Sequence, residues 1–144
     1  MKKLLLAAVI LSGLVGCASV PKGDTKQDIA LKTFTVPADK AGLYIFRNES
    51  MGAAVTMDVE LDGKELGKTA AKTYLYKEVE PGKHSIVSKA ENTETLEIEA
   101  KPGTLIYVWQ EVKMGLLYAR NKLNLVNEAE GKKGVLETTL AITK

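Results

Sequence analysis

Val55, Met57, Val59 and Leu61 alternate with Thr56, Asp58, Glu60 and Asp62. A period of two puts the apolar side chains on one face of an extended segment and the polar ones on the other, the pattern of a half-buried strand. Leu96, Ile98 and Ala100 alternate with Thr95, Glu97 and Glu99 in the same way. Leu43 to Phe46 and Leu105 to Val112 are more continuously apolar, which suits strands covered on both faces. Turn chemistry falls between such runs: Asp62-Gly63 suits a type I′ hairpin, and Pro81-Gly82 and Lys101-Pro102-Gly103 suit tight turns. Further strands are expected over Thr73 to Val79, His84 to Ala90 and Lys122 to Val126. A short C-terminal helix is expected over Glu128 to Leu136, weakened by Gly131 and Gly134. About seven or eight short strands joined by tight turns imply an all-β, antiparallel two-sheet sandwich, with a small closed barrel as the alternative.

The first residues follow another rule. Lys2 and Lys3 precede an apolar run from Leu4 to Leu14, too short to span a hydrocarbon core of about 30 Å and suited to the apolar part of an export signal. The segment Leu14-Val15-Gly16-Cys17 resembles the lipobox of bacterial lipoproteins. That resemblance implies cleavage after Gly16 and lipidation of Cys17, with membrane attachment through the lipid. Ala18 and Ser19 follow where an inner-membrane retention signal would place Asp, so the resemblance implies the outer membrane with the domain facing the periplasm. In a cell with a single membrane the domain faces outward instead. Each buried CH₂ contributes about 0.8 kcal/mol, so two or three acyl chains hold a protein durably. The chain thus divides into a signal peptide over 1–16, a lipidated Cys and flexible tether over 17–40, and a sandwich domain over 41–144. Within the tether, Ile29, Leu31 and Phe34 are spaced to dock one helical turn on the domain.

Composition narrows the function. Of 20 Lys and Arg, Lys2 and Lys3 lie in the signal, which leaves 18 against 18 Asp and Glu. A neutral mature chain without a basic stripe argues against nucleic-acid binding. One His and one Cys exclude a His/Cys metal cluster and an internal disulfide framework. No cofactor motif appears.

Several segments point to a family when taken in order: the lipobox, Ala41-Gly42-Leu43-Tyr44-Ile45-Phe46-Arg47, Val59-Glu60-Leu61-Asp62-Gly63-Lys64, Val79-Glu80-Pro81-Gly82-Lys83-His84 and Pro102-Gly103-Thr104-Leu105-Ile106-Tyr107. Together they resemble the bacterial lipoprotein family known as domain of unknown function 2846, over about Ala41 to Ala129. The strand-Pro-Gly-x-His-strand element also looks like the small sandwich domains named after a Pro-Glu-Gly-Ala motif. The first resemblance implies a β-sandwich on the envelope side of a membrane and supplies no reaction and no site residues.

The remaining candidates are weighed residue by residue. His84 would need a hydroxyl and a carboxylate to act in catalysis, and a turn-exit residue at a sheet edge fits it better. Asp58, Glu60 and Asp62, with Glu97 and Glu99, would gather a hard cation or form a glycosidase pair only if brought together; a solvated sheet face is the simpler reading. Tyr74 with Tyr76, and Tyr107 with Trp109, share strand faces as core or as a glycan platform, and core is preferred. From Gln110 to Arg120 a strand runs through Gly115 into an apolar stretch with no plain polar turn. Trp109, Lys113, Met114, Leu116, Leu117, Tyr118 and Arg120 are the candidate partner-binding residues, although a crossover packed over the open end of the sandwich is preferred structurally. The expectation is a non-catalytic binding or scaffolding domain for an envelope protein, with a peptidoglycan-binding module and an envelope hydrolase as alternatives.

Overall fold

The computed structural model describes residues 17–144; the expected signal peptide over 1–16, Gly16 included, lies outside the described residues. Nine strands and two helices follow in the order α1 (Thr25–Leu31), β1 (Ala41–Arg47), β2 (Met57–Leu61), β3 (Lys64–Thr69), β4 (Thr73–Val79), β5 (Gly82–Lys89), β6 (Thr93–Ala100), β7 (Leu105–Met114), β8 (Ala119–Val126), α2 (Glu128–Leu136) and β9 (Thr139–Leu140). They form a five-stranded sheet, β8-β7-β1-β4-β9, and a four-stranded sheet, β3-β2-β5-β6. The mostly-β, two-sheet expectation holds, with nine strands in place of seven or eight. A second correction concerns pairing. β7 lies parallel to β1, Gly42 opposite Leu105, and β9 lies parallel to β4, so the larger sheet is mixed rather than antiparallel. Period-two patterning fixes which face a residue takes but not which strand lies beside it.

β1 is the central strand of the larger sheet and is buried along its whole length, as its unbroken apolar run requires. Its alternate side chains serve two cores. Leu43 and Ile45 join Val59, Leu75, Ile86, Ile98 and Val108 between the sheets. Tyr44 and Phe46 point the other way and join Tyr74, Tyr107, Val135 and Leu140 beneath the helices. The chain is therefore layered as helices, large sheet, small sheet. Between the sheets, buried Gln110 donates to Ser88 Oγ at 2.7 Å and accepts from Thr69 Oγ1 at 2.5 Å. The three strands that meet there are thereby tied in register, with every polar end of the Gln110 amide satisfied.

The expected helix over Glu128 to Leu136 forms, capped by the Asn127 side chain, which accepts from Glu130 N–H. Its glycines sit against the sheet: a Cβ on Gly131 would overlap the Tyr107 ring, and one on Gly134 the Phe46 ring. The expected turns also appear, with Asp62 at φ 51° and Gly63 at φ 79° giving the left-handed pair that a type I′ turn needs.

The stretch expected as a flexible tether over 17–40 instead lies on the body. Asp24 caps α1, Tyr44 donates to the Leu31 carbonyl at 2.6 Å, and Tyr74 donates to Asp28 Oδ1 at 2.6 Å. Leu31 and Phe34 pack on the aromatic layer, whereas Ile29 faces solvent. Gly23 N–H donates to the Leu140 carbonyl and Ile142 N–H to the Pro21 carbonyl. One such helical turn in an otherwise polar stretch is too little to mark the whole segment as part of the domain, which is why sequence patterning leaves it as tether.

Candidate functional site

The loops that follow β1, β5 and β7 gather at one end of the sandwich and are bolted together there. Arg47, fully buried at the close of β1, donates from Nη1 to the Val55 carbonyl at 2.7 Å and from Nη2 to the Gly52 carbonyl at 2.6 Å. Burial lowers its pKa, and Glu49 nearby partly restores it. Glu49 Oε2 in turn accepts from Val112 N–H at 2.8 Å. Gly52 itself lies against Val112 and Ala119, the roots of the β7–β8 hairpin. From the other sheet, the Asn92 side chain accepts from Asn121 N–H and donates to the Asn121 carbonyl, both at 2.8 Å.

The hairpin tip is built around one carboxylate. Glu91 accepts from Leu117 N–H at 2.8 Å and Tyr118 N–H at 3.1 Å, and its own N–H donates to the Ala119 carbonyl at 3.0 Å. The Leu117 N–H, with those of Tyr118 and Leu116 and the Arg120 charge, outweighs desolvation and holds the Glu91 carboxyl below its usual range. The backbone turns inward to this carboxylate and the side chains are left outside. Met114, Leu116 and Leu117 are 85%, 93% and 83% exposed, Tyr118 is exposed with them, and so is Met51, the residue before Gly52. The preferred expectation that this stretch packs over the sandwich is thereby corrected: what plugs that end is Arg47 and its loop, and the hairpin projects beyond it. Lys113 and Arg120 face each other across the hairpin, one pair back from Met114 and Ala119.

Of the candidate partner residues, six lie at or next to the hairpin tip, and Trp109, farther down β7 opposite Asn124, does not. Trp109 packs on the aromatic layer beside α2 and lines a cleft of about 210 Å³ with Phe46, Asn48, Val126, Lys133 and Glu137. Its Nε1 and the Asn48 Oδ1 are buried without a hydrogen-bond partner among the described residues. The tyrosine ladders are core: Tyr44 stacks on Tyr107 with ring centres 5.3 Å apart, and burial pushes the Tyr107 phenol up to about 12.

His84 and the acids are accounted for elsewhere. Asp58 pairs with Lys68 at 2.9 Å and Glu60 with Lys89 across neighbouring strands, and among the described residues no three ligating side chains converge. His84 Nδ1 lies 2.6 Å from Asp62 Oδ2 and its Nε2 lies 2.6 Å from the Glu80 carbonyl oxygen. A carbonyl can only accept, so Nε2 carries hydrogen, and the carboxylate favours hydrogen on Nδ1 as well. Burial lowers the imidazole pKa, but the Asp62 hydrogen bond and the Glu80 carbonyl outweigh it and raise it above 6.5. With both nitrogens engaged, His84 is a clip between the β2–β3 turn and β5.

A raised folded pKa means that the clip contributes fully below the unfolded value of about 6.5 and fades as pH rises through the folded value. Urea unfolding of wild type and His84→Gln is therefore expected to show a wild-type advantage that shrinks toward alkaline pH. An advantage constant across that range would mean that the imidazole is neutral in the fold.

The comparisons with known proteins agree with this frame. A family model described as "Protein of unknown function (DUF2846)" matches residues 37–122. The chain belongs to the DUF2846 family. An uncharacterized protein of Haemophilus influenzae is 30% identical over 132 residues, covering 90% of this chain and 79% of the relative. The DUF2846 segment contains β1 through the hairpin tip and excludes α1, α2 and β9. The hairpin end is thus part of what the family has in common in extent, and the cleft beside α2 lies partly beyond it.

Proposed function

We propose that this DUF2846 protein is a cell-envelope lipoprotein, anchored through lipid on Cys17, that acts by binding or scaffolding at a membrane rather than by catalysis. The observation that carries the reading is Cys17 itself: it closes a Leu-Val-Gly-Cys segment behind an apolar run and is exposed and free. The next residue is already part of the fold, since Ala18 N–H donates to the Ala53 carbonyl at 2.8 Å. A lipid at Cys17 would therefore hold the domain against the bilayer, not at the end of a long leash. The absence of an Asp after Cys17 favours the outer membrane, with the domain toward the periplasm. The engaged His84 nitrogens, the lysine-paired Asp58 and Glu60 and the exposed Glu97 and Glu99 speak against a hydrolase, since none of them is a group poised in a cleft to accept a proton.

Metabolic labelling with an alkyne fatty acid tests the anchor. The full chain expressed in a host with two membranes is expected to take up label and to fractionate with the outer membrane, and Cys17→Ala is expected to lose both. Equal labelling of the two forms, or none in wild type, would sink the anchoring reading. In-cell crosslinking of the two forms then reads the binding role: a specific neighbour present only with the anchored form supports it.

A further inference from the structure

The hairpin tip and Cys17 lie at the same end of the molecule. Ala18 is hydrogen-bonded to Ala53, one residue from Gly52, and Gly52 packs on Val112 and Ala119 at the root of the hairpin. Cys17 is one further Cα–Cα step away, about 3.8 Å. Around this point Met114, Leu116, Leu117 and Met51 present their apolar side chains to solvent.

Three features of the tip fit an apolar medium. Its turn amides at Leu117 and Tyr118 are already bonded to Glu91, so those N–H groups need no water, while the Glu91 carboxylate itself belongs at the level of the hydrated headgroups. Lys113 and Arg120 sit one residue pair behind the apolar tip, the height at which long cations meet lipid phosphates while their stems stay in apolar surroundings. Tyr118, apolar in body and polar at its end, stands between the two levels, as aromatic residues do at a membrane interface. The tip is a single hairpin turn whose Met114, Leu116 and Leu117 side chains are all more than four-fifths exposed. Any protein seated on it would have to fit between the domain and the membrane that holds residue 17.

We propose that the Met114–Tyr118 hairpin tip, with Met51 of the adjoining loop, dips into the headgroup–acyl boundary of the bilayer to which the chain is anchored. The domain is then held at two points, the lipid on Cys17 and the tip, and its orientation on the membrane is fixed. This rests on the anchoring at Cys17.

The test uses the full chain purified from cell membranes and reconstituted in phosphatidylethanolamine/phosphatidylglycerol vesicles, with Leu117→Trp added to the native Trp109. Leu117 is exposed, so the substitution should leave the thermal transition unchanged. With lipids brominated near the top of the acyl chain, the emission added by Leu117→Trp is expected to be largely lost, while native Trp109 emission stays. Full added emission from protein that co-floats with the vesicles would overturn the proposal, as would an in-cell crosslink from this position to a protein instead of lipid. The mass of the purified chain reads acylation of Cys17 separately, so the anchor and the tip can fail independently.

Discussion

Replacing Gly134 with alanine lowers stability by about 2–3 kcal/mol, the reverse of what helix propensity alone dictates. In an open helix the change would stabilise by roughly 0.5–1 kcal/mol, because glycine surrenders more backbone freedom than alanine. Here the new methyl would fall inside the ring of Phe46, which is almost wholly buried beside Val135 and Leu140. The ring is held in the buried aromatic cluster and α2 is capped at its start by Asn127, although the cleft that Phe46 lines beside α2 gives the ring some room on one side. The expected result is a lower urea midpoint with an unchanged slope. Gly131→Ala, whose methyl would strike Tyr107, should behave alike. A midpoint that stays or rises would mean that Phe46 turns aside freely and that α2 is only loosely held.

Arg47→Met should be at least as damaging, at about 2–4 kcal/mol. The thioether fills much of the space but leaves the Val55 carbonyl without its donor and the Gly52 carbonyl with the Val55 N–H alone, and a buried unsatisfied acceptor costs about 1–3 kcal/mol. Removing a buried cation refunds some desolvation, which is why the figure is below the sum of two lost bonds to a charged group. The damage is expected to be local as well as global. Hydrogen exchange of the Ala18 and Val55 amides should quicken relative to β5 and β6, because the loop that accepts Ala18 is the one Arg47 holds. Unchanged exchange there would show that Glu49 and the hairpin root hold the loop without the guanidinium.

Much of this fold is legible in the sequence, and what is not has physical reasons. Alternation over Val55 to Leu61 and Leu96 to Ala100 places side chains correctly because the pleat enforces it: Met57, Val59, Ile98 and Ala100 are buried. The unbroken run in β1 marks the middle of the large sheet for the same reason. Its neighbours are not legible, since Gly42 opposite Leu105 is a pairing between distant segments that no local pattern encodes. Nothing in the sequence marks Arg47 as buried, because its carbonyl partners come from a loop with no pattern of its own. Gly131 and Gly134 count against a helix by propensity and are in fact where the helix touches the sheet. At the hairpin the stretch from Lys113 to Arg120 stands out in sequence, but its direction does not, and neither Met51 nor Glu91 does. That direction is set by Glu91, which lies in the turn between two strands of the other sheet.

The lacing of residues 21–23 to residues 140–142 has a consequence for how the molecule forms. The central strand must wait for β7, the strand beyond it must wait for β9, and the early segment must wait for the same late residues. Few of these pairings are near neighbours in the chain, and each demands that a long loop close before any reward is returned. Such a topology folds late and slowly, in milliseconds to seconds rather than microseconds. A growing or threading chain would hold its early strands without their partners until its final residues arrived.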